Sequence, residues 1–507
     1  MSTEIIATRV NKTLTARRDQ ILLNIAAWKG GRPYIEQRLW RAPNESDLSW
    51  SGTSGSSGFN SAGRVQRAAL VNDAGRVVSK ITQYLFKQPA ERTGIDEEWA
   101  ADVTGSGISV LNFWIDVSER LTAGQWLWLQ ADRMPQPVDP ETGMPRPRTL
   151  LEKQLDKDIV RWSVWPCYAV PDWSFAPDGK LRWLITEGVT IDDSDPSVKA
   201  EEKRVRTLWT KTATGVEISQ YAIDKGKTAN ISLIQEPTVV PGMDEIPFVL
   251  VGTPSVDPWW FDDVESLQAQ MLNLDSLQFE NLVRTVFPQL VIGETMLASL
   301  EMKLVERVGA TNGQRMMECV REVIRGLDSP MVESANEKGI TRFIQPAHGD
   351  QQTLPGDIDR KRKFLFQMVG LSLFNNETRQ IQTAESKQFD QLDTESTLKH
   401  RANILQDSEN RLIALSKAID PSFAGYNPMW PTSFDVLDAQ AATTAISMLS
   451  NIPDLTISMR KLVLKLVLRL VKEMGVFDNV LFDAANEEIE ALEDYSGEPD
   501  DVPDDDE

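Results

Sequence analysis

The sequence predicts an α+β protein, with a mixed amino-terminal half and a carboxy-terminal half built mainly of helices. Three observations carry that reading. Twelve of the 15 Trp residues fall before residue 210, which points to aromatic packing in the first half. Between 158 and 251 the chain consists of short runs rich in β-branched and aromatic residues, separated by turn signals such as Pro177-Asp178-Gly179. Beyond 260, apolar residues recur at spacings of three and four. At 507 residues, 41% apolar and 25% charged, the chain is long enough for two or three packed modules and too apolar for wholesale disorder.

Taken in order, residues 11–28 carry a helical pattern of Leu14, Ile21, Leu22, Ile25 and Trp28, stopped by Gly30-Gly31. Residues 44–63 are Ser/Gly-rich and aperiodic, a surface loop that either has no role or folds against a partner. Helical spacing from Val65 to Phe86 ends before Pro89. Residues 108–130 read as a helix that stops at Gly124 and turns into a strand, WLWLQ. The Pro-rich stretch 135–147 is a loop. Strands follow at Ile159–Val164, Leu181–Glu187, Arg204–Thr210, Gly215–Ile223 and Pro247–Val251, with Phe175, Trp183 and Trp209 expected in their core.

Asp262–Thr285 reads as a helix of about six turns, with Val264, Leu267, Met271, Leu274 and Leu277 on one stripe and Gln, Asn, Asp and Glu opposite. Shorter elements occupy 287–355. A helix at Asp357–Leu371 carries Arg360, Lys361, Arg362 and Lys363, and a polar link, Phe374–Gln382, leads to a long helix at about Thr383–Ile419. Two or three helices span 436–492. The run LVLKLVLRLV at 462–471 is interrupted by Lys465 and Arg469 and reads as a buried amphipathic helix, not a membrane span. The start, MSTEIIATRVNKTLTARRDQ, lacks the apolar core of a secretory signal.

Net charge is −22, and residues 487–507 hold twelve acids and no base, a run that repels itself and is expected to be disordered. So acidic a chain lacks the basic footprint of a protein that wraps nucleic acid tightly. Cys167 and Cys319 show no metal-ligand or CxxC spacing, and His348 and His400 are the only histidines, which reads as a reducing-compartment protein with little catalytic hardware. No GxxxxGK[ST] loop occurs. The Gly-rich GSG at 105–107 and SGTSGSSG at 51–58 do not sit between a strand and a helix as a phosphate cradle requires. The acids Asp257, Asp262 and Asp263, and those of IDDSDP at 191–196, have the chemistry to hold Mg²⁺ or move protons, but they fit loop ends and helix N-termini better. No catalytic residue, cofactor site or metal site is expected.

The order of elements also resembles a known family. The strand IPFVLVGTP (246–254) followed by DDVESLQAQMLNLDSLQFENLVRTVFPQLVIG (262–293) is similar to a pattern in the portal proteins of tailed bacteriophages. GRPYIEQRLWRA (31–42), YLFKQPAER (84–92) and the long-helix segment 382–419 resemble the same family, so the likeness covers roughly 30–490. The acidic tail and the Ser/Gly loop are not part of the family pattern.

The resemblance implies a non-enzymatic, portal-like α+β fold: a wing at 1–255, a first stem helix at 256–286, a small α/β clip at 287–355 and a second stem helix at 356–371. A channel loop at 372–382, a long helix and wing return at 383–435, a helical crown at 436–492 and the acidic tail at 493–507 complete it. It implies a homododecameric ring at one capsid vertex, in virions assembled in the host cytoplasm. Double-stranded DNA would be packaged and ejected through the ring. Its partners would be the terminase large subunit, a head–tail adaptor and the major capsid protein, with no membrane. Channel-facing residues would be Arg360, Lys361, Arg362, Lys363, Phe374, Asn375, Asn376, Glu377 and Arg379, and subunit contacts would use Leu267, Met271 and Leu274. From the residues themselves, the four basic side chains fit either a ring of weak phosphate contacts or a solvated face paired with nearby acids. The rival readings are another head–tail connector or minor capsid protein, and an enzyme acting on a polymer.

Overall fold

The computed structural model describes residues 8–41, 63–133, 160–192, 201–223, 231–240, 243–286, 353–369 and 384–431, with shorter pieces including 289–293, 331–333, 342–344 and 479–490. The chain divides into two units, Met1–Phe434 and Asp435–Glu507.

Helix α1 (Lys12–Lys29) starts where the Asn11 side chain accepts the Thr13 N–H at 2.9 Å, and ends at Gly30. Its buried positions are Leu14, Arg17, Ile21, Asn24 and Ala27, so two polar residues lie on the inward stripe, while Leu22 is exposed. Helix α2 (Arg32–Arg38) follows, with Pro33 in its first turn. The single helix expected over 65–86 is in fact two, α3 (Arg64–Arg67) and α4 (Asp73–Leu85). The break falls at Asn72, whose side chain accepts the Gly75 N–H at 2.8 Å to start α4 and donates to the Trp28 carbonyl at 2.9 Å to dock it on α1.

Strand β1 (Glu91–Thr93) and helix α5 (Glu97–Ala101) lead to α6 (Val110–Gly124), which buries Val110, Phe113, Trp114, Val117 and Leu121. Each fully buried side chain of this size contributes about 1.5–3 kcal/mol. Gln125, at φ 70°, reverses the chain directly into β2 (Trp126–Arg133). In β2, Trp126, Leu127, Trp128 and Leu129 are all at most 1% exposed. A continuous apolar run is what a strand covered on both faces requires. Leu127 and Leu129 join the main core, while Trp126 packs with Leu14, Ile21 and Cys167, and Trp128 with Leu184 and Val216.

The five expected strands follow with shifted ends, as β3 (Val160–Pro166), β5 (Leu181–Asp192), β6 (Glu201–Lys211), β7 (Val216–Ile223) and β9 (Phe248–Gly252), and two further strands, β4 (Asp172–Phe175) and β8 (Ile231–Val240), join them. They form a three-stranded sheet, β3-β2-β9, and a five-stranded meander, β4-β5-β6-β7-β8, both antiparallel throughout. The patterning misses β8 because Pro237 interrupts it, and Pro is tolerated here on an edge strand. Trp183 and Trp209 are partly buried as expected, but Phe175 is 42% exposed, because the register slips between Ser174 and Phe175 at the end of β4.

Helix α7 (Trp260–Val286) is followed by β10 (Gln289–Gly293), β11 (Met331–Glu333) and β12 (Arg342–Ile344), a separate sheet in the order β11-β10-β12. Helix α8 (Thr353–Met368) begins four residues before the expected Asp357, because Pro355 is tolerated in a first helical turn. Helix α9 (Ala384–Ile419) returns to the main core through Leu398, Ala402, Leu405, Leu412 and Ile413, at helical spacing. Strand β13 (Asn427–Met429) pairs antiparallel with β1. In the second unit, helix α10 (Asn479–Glu490) receives Lys465 at Glu490. Among the described residues no helix is long and apolar enough to cross a membrane.

Candidate functional site

The residues singled out by sequence fall on α7, on α8 and on the link after α8. Helix α7, about 40 Å long at 1.5 Å per residue, begins with Asp262 accepting the Trp259 N–H at 2.9 Å. The same carboxylate takes Arg17 at 2.8 Å and Asn24 at 2.8 Å. Asp262 is thus a cap and an anchor for α1. Asp257 accepts the Ser255 hydroxyl at 2.6 Å, closing a turn. Among the described residues no group of three His, Cys, Asp or Glu is placed to hold a metal ion.

The polar face of α7, opposite the apolar stripe, is largely sealed by the chain's own residues 17–76. Glu265 is 1% exposed and receives both Nε and Nη2 of Arg38 at 2.7 Å, with the Tyr34 hydroxyl at 3.1 Å. Gln268 accepts from the Ala74 N–H at 3.1 Å and donates to the Val71 carbonyl at 2.8 Å. Asn273 does the same with the Trp40 N–H (2.6 Å) and the Arg38 carbonyl (2.9 Å). Arg64 donates to Ser276 at 3.1 Å, and Arg67 pairs with Glu280 at 2.7 Å.

The physical reason is pairing: a carboxylate tolerates burial when a guanidinium satisfies it, and the Arg-rich stretch before α4 supplies one per turn or two. Burial, and then the Glu265 charge, push the Tyr34 hydroxyl well above its ordinary range, so it stays a donor. The reading of 262–285 alone misses this face. The available signal is the matching run of Arg17, Arg38, Arg64 and Arg67.

Helix α8 packs beside α7, and its basic cluster divides. Arg360 meets Asp357 one turn away at 2.9 Å, on the exposed side. Lys361 donates to Gln270 of α7 at 2.7 Å. Arg362 bridges Asp73 (3.0 Å), whose side chain is 1% exposed, and Asp359 (3.3 Å). Burial raises the Asp275 carboxyl above its ordinary pKa, against the pull of Arg362. Lys363 is half-buried. Of the two alternatives open from sequence, pairing with nearby acids is what Arg360 and Arg362 do.

Met271, expected at a subunit contact, is 5% exposed in the chain's own core, and Leu267 packs against that core. Helix α7 meets α1, α2 and α4, and both side chains pack on the core it shares with them. Leu274 is half-buried. The exposed apolar residues of the pair are instead Leu277, Phe279 and Leu282 on α7 and Phe364 on α8. Phe374, Asn375, Asn376, Glu377 and Arg379 lie outside the described residues, as do Cys319 and His348.

The GSG loop is answered from within. Burial alone would raise the Asp102 carboxyl, but the backbone N–H groups of the loop, with Ser106 at 3.0 Å, together outweigh it and hold the carboxyl below the ordinary carboxylate pKa. The cradle holds the chain's own anion. Cys167 is buried against Trp126, and burial pushes its thiol up to about 12, which removes its nucleophilicity at neutral pH.

No protein-family model matches the chain, and no curated protein sequence does either.

Proposed function

We propose that the chain is the portal subunit of a tailed bacteriophage, forming a ring of about twelve copies through which double-stranded DNA is packaged and ejected. The observation that carries the reading is the order helix, small sheet, helix: α7 leaves the α+β body, the separate β11-β10-β12 sheet follows, and α8 packs back on α7 before α9 rejoins the core. That order is the stem–clip–stem order the family resemblance implies. It supports a subunit that lines a channel with paired helices and offers a clip to other proteins.

In this reading the chain performs no chemistry. Twelve copies carry a summed charge of about −260, and an acidic wall repels phosphate so that DNA slides without sticking. Work comes from the terminase large subunit docked outside, which a head–tail adaptor later replaces. Within the basic cluster, Lys361 and Arg362 brace α8 against α7 and α4 and Arg360 pairs with Asp357, which leaves Lys363 for phosphate. The 372–382 link is assigned to the channel loop.

The test is electron microscopy with mass determination on the purified chain at low and moderate salt. Rings of about twelve with an axial hole of roughly 20 Å or more, wide enough for a duplex, are expected. A monomer or dimer at every salt and protein concentration would overturn the proposal.

A further inference from the structure

A second candidate site lies away from the helix pair, where the turn after β1 meets the turn after α9. It is a cavity of about 80 Å³, lined by Gly94, Ile95, Asp96, Trp99, Val160, Asp420, Ser422, Phe423 and Tyr426. We propose that it binds the head of a small organic ammonium ion, such as the end of an aliphatic amine.

Size sets the first limit. One water-sized probe occupies about 10–15 Å³, so the space accepts a handful of heavy atoms, enough for a methylated or alkyl ammonium head and too few for a nucleotide or sugar. Charge sets the second. Two acidic residues line the cavity and no Lys or Arg does. Asp96 uses Oδ1 to accept the Glu98 N–H at 3.0 Å, and Asp420 uses Oδ1 to accept the Ser422 N–H at 2.9 Å. Neither Oδ2 has a partner among the described residues. The nearby Arg92 is committed to Glu409 at 2.9 Å and does not neutralise them.

The aromatic wall decides between an inorganic and an organic cation. Trp99 and Phe423 meet edge to face at 4.8 Å, with Tyr426 at 6.3 Å from Trp99. The polar edges of this wall are already used: the Trp99 N–H donates to the Val160 carbonyl at 2.8 Å, and the Tyr426 hydroxyl donates to Glu409 at 2.7 Å. The aromatic residues therefore offer the ligand carbon surface and no further polar group, beside two single carboxylate oxygens. A Ca²⁺ or Mg²⁺ ion needs about six or more oxygens. An alkylammonium is satisfied by two carboxylates and aromatic rings. The wall is also pre-formed. Gly94, at φ 70°, brings its turn so close to the 421–425 turn that an added Cβ would lie 2.0 Å from the Gly425 carbonyl oxygen.

The experiment is saturation-transfer NMR on the intact chain, with tetramethylammonium and butylammonium chlorides as probes and tert-butanol as a neutral probe of similar shape, at constant ionic strength. Both cations are expected to receive saturation and to compete, while the alcohol receives little. The double variant Asp96→Asn/Asp420→Asn keeps both turn caps, because Asn caps as well as Asp, and is expected to weaken cation binding about tenfold or more. Should the double variant fail to fold by circular dichroism, Asp96→Asn alone, at an exposed position, is expected to weaken it about threefold. Equal saturation of the alcohol, no saturation of either cation, or binding unchanged in the folded variant would overturn the assignment. None of these outcomes depends on whether the chain forms rings.

Discussion

Single residues in this protein are decided by whether a buried charge has a partner. Glu409 of α9 is fully buried and receives Arg92, the Tyr426 hydroxyl and the Trp430 indole N–H, the last two at 2.7 Å. Glu409→Ala would leave Arg92 as an uncompensated charge, and a loss of about 3–5 kcal/mol is expected in urea denaturation. Gly94→Ala combines a left-handed backbone with a collision on Gly425, and a loss of about 1–3 kcal/mol is expected in the same measurement. Glu187 gives the pH dependence. Burial raises its pKa, but hydrogen bonds and charge from Arg204 and Arg206 outweigh that and leave it lowered. Its stabilisation is therefore complete above the unfolded carboxyl value near 4.3 and fades as pH falls through the lower folded value. The urea midpoint of Glu187→Gln is expected to fall less steeply than that of the parent chain below about pH 4.5.

Among the elements, α7 shows how far a sequence stripe carries. Its apolar side is legible from the three-and-four spacing, and Val264 and Met271 do reach the core. Its polar side is not, because amphipathicity tells which residues avoid the core and not whether water or another segment covers them. Arg38→Ala is expected to cost about 3–5 kcal/mol by stranding Glu265, which is 1% exposed. The helix α8 cluster separates in the same way. Arg360→Ala removes an exposed pair one turn apart and is expected to change stability by less than about 0.5 kcal/mol. Arg362→Ala removes one of the two guanidinium partners of buried Asp73, leaving Arg76 at 3.2 Å, and is expected to cost about 1–2 kcal/mol. If all four basic side chains were equivalent solvated charges, these two variants would give the same melting curve.

For the whole molecule, the proposed ring makes a demand that the single chain does not. Leu277 is 42% exposed and Phe364 55% exposed on the paired helices, positions that a neighbouring copy would cover. The double variant Leu277→Asp/Phe364→Asp is expected to keep the monomer's circular dichroism and denaturation midpoint within about 0.5 kcal/mol while losing ring formation by mass photometry. Rings that persist in this variant would move the subunit contact off these helices. A midpoint that falls with the rings would mean that the two side chains support the fold itself.

The sequence by itself determined the α+β class, the helix-to-strand turn at Gly124, most strands of the meander and the helices over 262–285 and 383–419. All of these follow from local periodicity, capping and turn chemistry, which neighbours in the chain fix among themselves. The tertiary structure decided what long-range partners decide. It split 65–86 at Asn72, which docks on Trp28, and turned Phe175 outward at a slipped register. It covered the polar face of α7 with Arg38, Arg64 and Arg67, and divided the 360–363 cluster into exposed Arg360 and the bracing Lys361 and Arg362. It also gathered Asp96, Trp99, Asp420 and Phe423 around one cavity from segments more than 300 residues apart. No sequence window holds both sides of such contacts, so their energies enter only when the chain closes on itself.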